Sequence, residues 1–198
     1  MTLKLPKSLF TAAVVTLFSL PVLADDGMPV GITSDLMSIT VNHGGKEMVI
    51  ERNQDTEATV DPAFAKTSRP CPPFCIQPMT LAPGVETLGE IEIIDYLKQQ
   101  QSGDGSILVV DSRTPDWVSR GTIPGSVNLP FTLLNPKQGA TTEGILKIMR
   151  DQFNVGINGD DIAVDEAIAL GDTTEVFDFS DAKTLVMFCN GIWCPQSP

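Results

Sequence analysis

Apolar residues recur along this chain with two different periods, and the change of period divides it. Ile39 and Val41, then Met48 and Ile50, lie two apart, which places them on one face of two short strands. Asn42-His43-Gly44-Gly45 supplies the turn between them, so the segment predicts a β-hairpin with His43 in a solvated turn. Further on, the spacing becomes helical. Thr87 with Glu90 three residues on is a capping-box pattern, and it opens a helix through Ile91, Ile94 and Leu97 that ends before Ser102-Gly103-Asp104-Gly105. Ile107-Leu108-Val109-Val110 is a short unbroken apolar run, the mark of a strand buried on both faces. Thr114 and Pro115 mark another helix start. Ser126 to Leu129 predicts a further strand, and Thr142 caps a helix through Leu146, Met149 and Phe153. Leu185-Val186-Met187-Phe188 is a second buried strand. Helices alternating with buried strands predict an α/β fold, a parallel sheet covered by helices.

Between these elements lie stretches with other messages. Asn154 to Lys183 is longer than a simple connection and carries Asp160, Asp161, Asp165 and Glu166. Those acids lack the spacing of an EF-hand loop, so a solvated insertion is expected there and no metal site. Asp55 to Arg69 is polar and reads as irregular. The prolines of Pro70-Cys71-Pro72-Pro73-Phe74-Cys75-Ile76-Gln77-Pro78 forbid regular helix and favour a stiff loop.

Residues 1–24 have the layout of a secretory signal peptide: Lys4 and Lys7, an apolar core from Leu9 to Leu20, and the small-residue end Val22-Leu23-Ala24. The expected organisation is therefore a signal peptide at 1–24, a small β-rich extension at 25–83, and an α/β domain at 84–198. A periplasmic or secreted location is expected, with no membrane contact once the signal is removed.

The formal net charge is −12, and removal of the first 24 residues leaves 11 basic residues against 25 acidic ones. Nucleic acid is not expected as a partner for so acidic a chain, because phosphate contacts need Lys and Arg. Any site for a small anion must be built locally.

The four cysteines form two close pairs, Cys71/Cys75 and Cys189/Cys194, with three full connectivities open in an oxidising compartment. Cys189 stands at the tip of a predicted buried strand and heads a loop containing Gly191. Gly191 permits a tight fold in which successive N–H groups point inward as an anion-binding nest, and such a nest lowers the pKa of a thiol. The alternative is a buried structural cysteine, or half of a disulfide with Cys194.

A second segment bears on that choice. Asp111-Ser112-Arg113-Thr114-Pro115-Asp116-Trp117 follows one strand and leads into Arg120-Gly121-Thr122-Ile123-Pro124-Gly125-Ser126-Val127-Asn128-Leu129-Pro130. From residue 84 to 198 the chain resembles the rhodanese family of sulfurtransferases, in which these motifs precede a nucleophilic cysteine at a later strand end. Thr122 stands where the family usually has His.

The resemblance implies a Cys189 persulfide formed from thiosulfate or a similar donor and passed to a thiol or cyanide, without a cofactor. It implies Asn190, Gly191, Ile192, Trp193 and Cys194 as the loop that cradles the sulfur. Asp111, Arg113, Asp116, Gly125 and Asn128 are its structural motif. The implied partners are a small sulfur-containing anion or thiol and a protein thiol acceptor. The family pattern continues past this loop, so the α/β domain is expected to be C-terminally incomplete.

Phosphatases and arsenate reductases of related fold need an Arg six positions after the cysteine. Here Pro195 occupies that place and no Arg or Lys follows Cys189. Two rivals stay open. One is a thiol–disulfide protein in which Cys194 resolves a persulfide or closes a disulfide with Cys189, with Cys71/Cys75 as a relay or a structural disulfide. The other is a binding module without turnover. The tightness of the loop favours an unbonded Cys194, because a Cys189–Cys194 bond is expected to distort the nest.

Overall fold

The computed structural model describes residues 28–62, 65, 69–72, 75, 76, 79–191 and 194. The signal-peptide reading of 1–24, Pro73 and Phe74 of the proline-rich loop, and Ile192 and Trp193 of the cysteine loop lie outside the described residues. In chain order the elements are β1 (Ser38–His43), β2 (Lys46–Glu51), α1 (Glu90–Gln101), β3 (Ile107–Asp111), α2 (Pro115–Val118), β4 (Val127–Asn128), α3 (Thr142–Asp151), β5 (Gly156–Ile157), α4 (Asp161–Leu170), β6 (Phe177–Asp178) and β7 (Thr184–Phe188).

The hairpin forms as its period predicts, with Ile39 opposite Ile50 and Val41 opposite Met48. Its turn is tighter than expected, because Asn42 and His43 stay in the ladder and only Gly44-Gly45 reverses the chain. β4, β3 and β7 form the parallel sheet in that order. Helices and short strands cover it on both faces, as the alternation of elements requires.

Alternation along the strands decides which residues go where. Val109 of β3 and Val186 of β7 turn to one face, where Leu97 of α1 and Ile39 and Val41 of β1 close over them. Each such side chain contributes roughly 1.5–3 kcal/mol on burial. The hairpin is thus packed into the α/β core. Val110 turns to the other face, against Leu129, Phe153 and Val155, with Ile148 and Met149 of α3 beside them.

The helix boundaries need correction. Helix α1 begins at Gly89, not Thr87: Glu92 Oε2 accepts the Gly89 N–H at 3.0 Å, while the Thr87 hydroxyl donates to the Met79 carbonyl. Its inner face is accordingly Ile93, Ile94 and Leu97, and Ile91 is exposed. Helix α3 is capped by Thr141, whose Oγ1 accepts the Gly144 N–H at 3.1 Å, and it stops before Phe153.

The stretch 154–183 is no solvated insertion. Its α4, capped by Asp160 Oδ1 on the Ala163 N–H at 3.0 Å, buries Val164 against Leu146 and Val176. The antiparallel pair β5–β6 completes this second layer, and the acids at Asp165 and Glu166 face outward.

His43 is likewise not a free turn residue. Its Nδ1 accepts the Gly125 N–H at 3.2 Å, and Gln101 Oε1 accepts the Asn42 N–H at 2.9 Å. Gln100 bridges the same region, accepting the Val109 N–H and donating to the Gly125 carbonyl, both at 2.9 Å.

Gly125 is buried with φ +89°, and a Cβ there would meet Leu97 Cδ2 at 3.1 Å and Val41 Cβ at 3.5 Å. Gly125→Ala is expected to lower stability by about 1–3 kcal/mol, from backbone strain and crowding together. A thermal melt checks this, and an unchanged midpoint would show that hairpin and helix yield without cost.

Candidate functional site

β3 and β7 are parallel with Asp111 opposite Phe188, so both strands leave the sheet at the same end. In open parallel sheets that carboxyl end is where ligands bind. β3 delivers Asp111, Ser112 and Arg113 there, and β7 delivers Cys189.

Ser112 ties the two exits together. Its backbone N–H and its hydroxyl donate to the Phe188 carbonyl at 3.1 and 2.9 Å. The residue is fully buried, so both bonds form away from water, where leaving them unmade would cost about 1–3 kcal/mol. They hold the peptide that joins Phe188 to Cys189, and hence the direction in which the Cys189 side chain leaves the strand. Sequence reading passed over Ser112. The available signal was a small hydroxyl residue placed directly after a buried strand, where such side chains bond to backbone.

Asp111 lies beside it, buried and fully paired. Its Oδ1 accepts the Arg113 N–H at 3.0 Å and Arg113 Nε at 2.9 Å. Its Oδ2 accepts Arg113 Nη2 and the Thr122 hydroxyl, each at 2.6 Å. Thr122 Oγ1 is also 3.1 Å from Ser126 Oγ. The Arg113 guanidinium donates to the Gly121 carbonyl at 2.7 Å and stands 5.8 Å from the centre of the Phe188 ring. A cation therefore sits beside the residue that precedes Cys189.

Burial alone pushes the Asp111 carboxyl up. The hydrogen bonds from Arg113 and Thr122 and the Arg113 charge outweigh it and hold the group below the ordinary carboxylate range. The same pairing raises the Arg113 pKa.

Asn128 Nδ2 donates to the Asp111 and Arg113 carbonyls at 2.9 and 2.8 Å, which fixes the chain as it leaves β3. Asp111, Arg113, Asn128 and Cys189 thus gather at one end of the sheet. Gly125 does its work against α1 and the hairpin, and Asp116 is exposed on α2.

In the cysteine loop, Cys189 and Asn190 are half-buried and Gly191 is exposed with φ +148°, a conformation that favours glycine. The Cys194 N–H donates to the Gly191 carbonyl at 2.9 Å, so this donor is engaged inside the loop. Cys194 is buried and bonded to Cys189 as a disulfide with Cα atoms 6.5 Å apart. Here the structure departs from the expected unbonded Cys194. Gly191 turns the chain back far enough to bring the two Cα atoms within the span that disulfides bridge. Cys71 and Cys75 are bonded as well, with Cα atoms 4.6 Å apart.

A bonded sulfur is no nucleophile, so any thiolate chemistry at Cys189 begins with reduction of this bond. Among the described residues no group of three or more His, Cys, Asp or Glu is placed to hold a metal ion.

The depressed Asp111 pKa gives stability that is full above the ordinary carboxylate range and is lost as pH falls through the folded value. Thr122→Val keeps the shape and removes one donor to the carboxylate. It is expected to cost about 1.5–3 kcal/mol at neutral pH, as for hydrogen bonds to charged groups. The gap to the parent protein should narrow as pH falls through the carboxylate range, because Asp111 of the variant, with one donor fewer, protonates before that of the parent. Urea unfolding across pH checks this, and a gap independent of pH would disconnect Thr122 from the Asp111 charge.

Residues 94–197 match the family model of the rhodanese-like domain. No curated protein and no solved structure matches the chain.

Proposed function

This chain belongs to the rhodanese-like domain family, the sulfurtransferase superfamily, and from that premise we propose that it moves sulfane sulfur through a persulfide on Cys189. The observation that carries the reading is the position of Cys189. It follows the parallel strand β7 at the carboxyl end of the sheet, on a peptide gripped by Ser112 and directly after Phe188, over whose ring Arg113 stands.

Once reduced, the Cys189 thiolate attacks the outer sulfur of thiosulfate or a similar donor. The sulfur–sulfur bond of the donor breaks, sulfite leaves with the electron pair, and Cys189 holds one added sulfur. A thiol or cyanide then takes that sulfur and frees the thiolate. Asn190, Gly191, Ile192 and Trp193 form the loop that receives the donor. In an acidic chain the attraction for an anion must come from local donors of this kind.

An exported location fits the same reading. Residues 1–24 have signal-peptide layout, and both cysteine pairs are oxidised, as they are in secreted and periplasmic proteins. The acceptor then includes a protein thiol of that compartment. The Cys189–Cys194 bond favours a second reading, in which the pair is a thiol–disulfide couple and carries no sulfur.

Reduced protein given thiosulfate and cyanide is expected to form thiocyanate. Cys189→Ser should abolish this, and Cys71→Ser and Cys75→Ser should leave most of it. Thiocyanate formation unchanged in Cys189→Ser would overturn the assignment. A parent protein that cycles between dithiol and disulfide yet forms no thiocyanate would establish the second reading.

A further inference from the structure

The placement of Cys194 identifies what happens to the sulfur when no outside acceptor is present. We infer that Cys194 resolves the Cys189 persulfide, so that the protein releases sulfide and ends each turnover in the disulfide state that the structure displays. This rests on the reading of Cys189 as the persulfide carrier and adds an activity to it: reduction of sulfane sulfur to sulfide at the expense of a dithiol.

Three features of the loop support it. Gly191 turns the chain back, and the Cys194 N–H bond to the Gly191 carbonyl holds that turn. The sulfurs of Cys189 and Cys194 are within bonding reach, because they are bonded. Cys194 is 8 % exposed while Cys189 is half-buried, so the partner best placed to meet the Cys194 thiol is Cys189 rather than a thiol from solution.

The step balances. Cys189, as thiolate, takes the outer sulfur of thiosulfate and sulfite departs. The Cys194 sulfur then attacks Cys189 Sγ. The Cys189–Cys194 bond forms, the bond from Cys189 Sγ to the added sulfur breaks, and that sulfur leaves with the electron pair. It carries away the Cys194 thiol proton as hydrosulfide. The added sulfur gains two electrons, and the two cysteines lose one each. Attack at the inner sulfur is favoured because hydrosulfide is a weaker base than a cysteine thiolate, and weaker bases leave faster. A dithiol, small or on a protein, then reduces the disulfide and resets the site.

The test is a single turnover of the full chain carrying Cys71→Ser and Cys75→Ser, so that Cys189 and Cys194 are its only thiols, reduced, freed of reductant, and mixed with one equivalent of thiosulfate. Expected are one sulfite and one sulfide per chain, a Cys189–Cys194 disulfide by peptide mapping, and no turnover of a second equivalent of thiosulfate until a dithiol is added. Cys194→Ala and Cys194→Ser should still release sulfite but should hold the sulfur as a Cys189 persulfide, with sulfide release reduced at least tenfold. Their sulfite release shows that they are folded and loaded. Sulfide release by both variants at the parent rate would overturn the role of Cys194 and leave the persulfide reading standing. The same holds for a parent protein that keeps a stable persulfide. Absence of sulfite release from the parent protein would overturn both.

Discussion

The carbonyl of Phe188 accepts two hydrogen bonds from Ser112, a residue 76 positions earlier in the chain, and the end of the sheet is organised around that contact. Parallel pairing of β3 with β7 sets the register, but pairing alone does not say how the chain continues once the ladder stops. Ser112 continues it by one step. Asp111 then gathers Arg113 and Thr122, and Asn128 ties the backbone of Asp111 and Arg113 to β4. Three chain segments distant in sequence are joined here by polar side chains within the protein.

Such a network is costly unless complete. A buried carboxylate forfeits its hydration, and only full pairing compensates for that loss. At Asp111 the pairing is met by one guanidinium, one hydroxyl and one backbone N–H. Apolar groups of similar volume could fill the space, but they would not dictate one direction for the chain leaving β7. The polar arrangement does, because hydrogen bonds tolerate little change in angle.

What was legible in the sequence follows from this division between packing and pairing. β3 and β7 were plain from their unbroken apolar runs, although β7 lies at the sheet edge with Met187 exposed, and the hairpin was plain from its period of two. The start of α1 was misread because the cap is Gly89, which offers no side chain to recognise, while Thr87 and Glu90 imitate the pattern nearby. The layer between 154 and 183 was hidden for another reason. Its buried residues Val155, Val164 and Val176 are few and widely spaced, and the eye falls on the acids of the outer face. In the site, Cys189 and the Asp111–Arg113 motif were visible as residue types. The grip of Ser112, the donor role of Thr122 and the docking of His43 on Gly125 were not, since each depends on a partner brought from elsewhere by the fold. The bond to Cys194 turned on the backbone at Gly191, which fixes how far apart the loop ends lie.

The position of the hairpin also has a bearing on how the chain reaches this state. β1 and β2 need only local pairing and can form while the rest is still being made. The buried residues that close over Ile39 and Val41 are nevertheless Leu97, Val109 and Val186, the last of them near the far end of the described chain. Contacts of such long sequence separation are slow to establish, because the intervening chain must be ordered first. The hairpin is therefore among the earliest elements able to form and among the last to be buried. During that wait it presents a bare apolar strand, which makes the interval before β7 is in place the period in which the nascent chain is most open to misassembly.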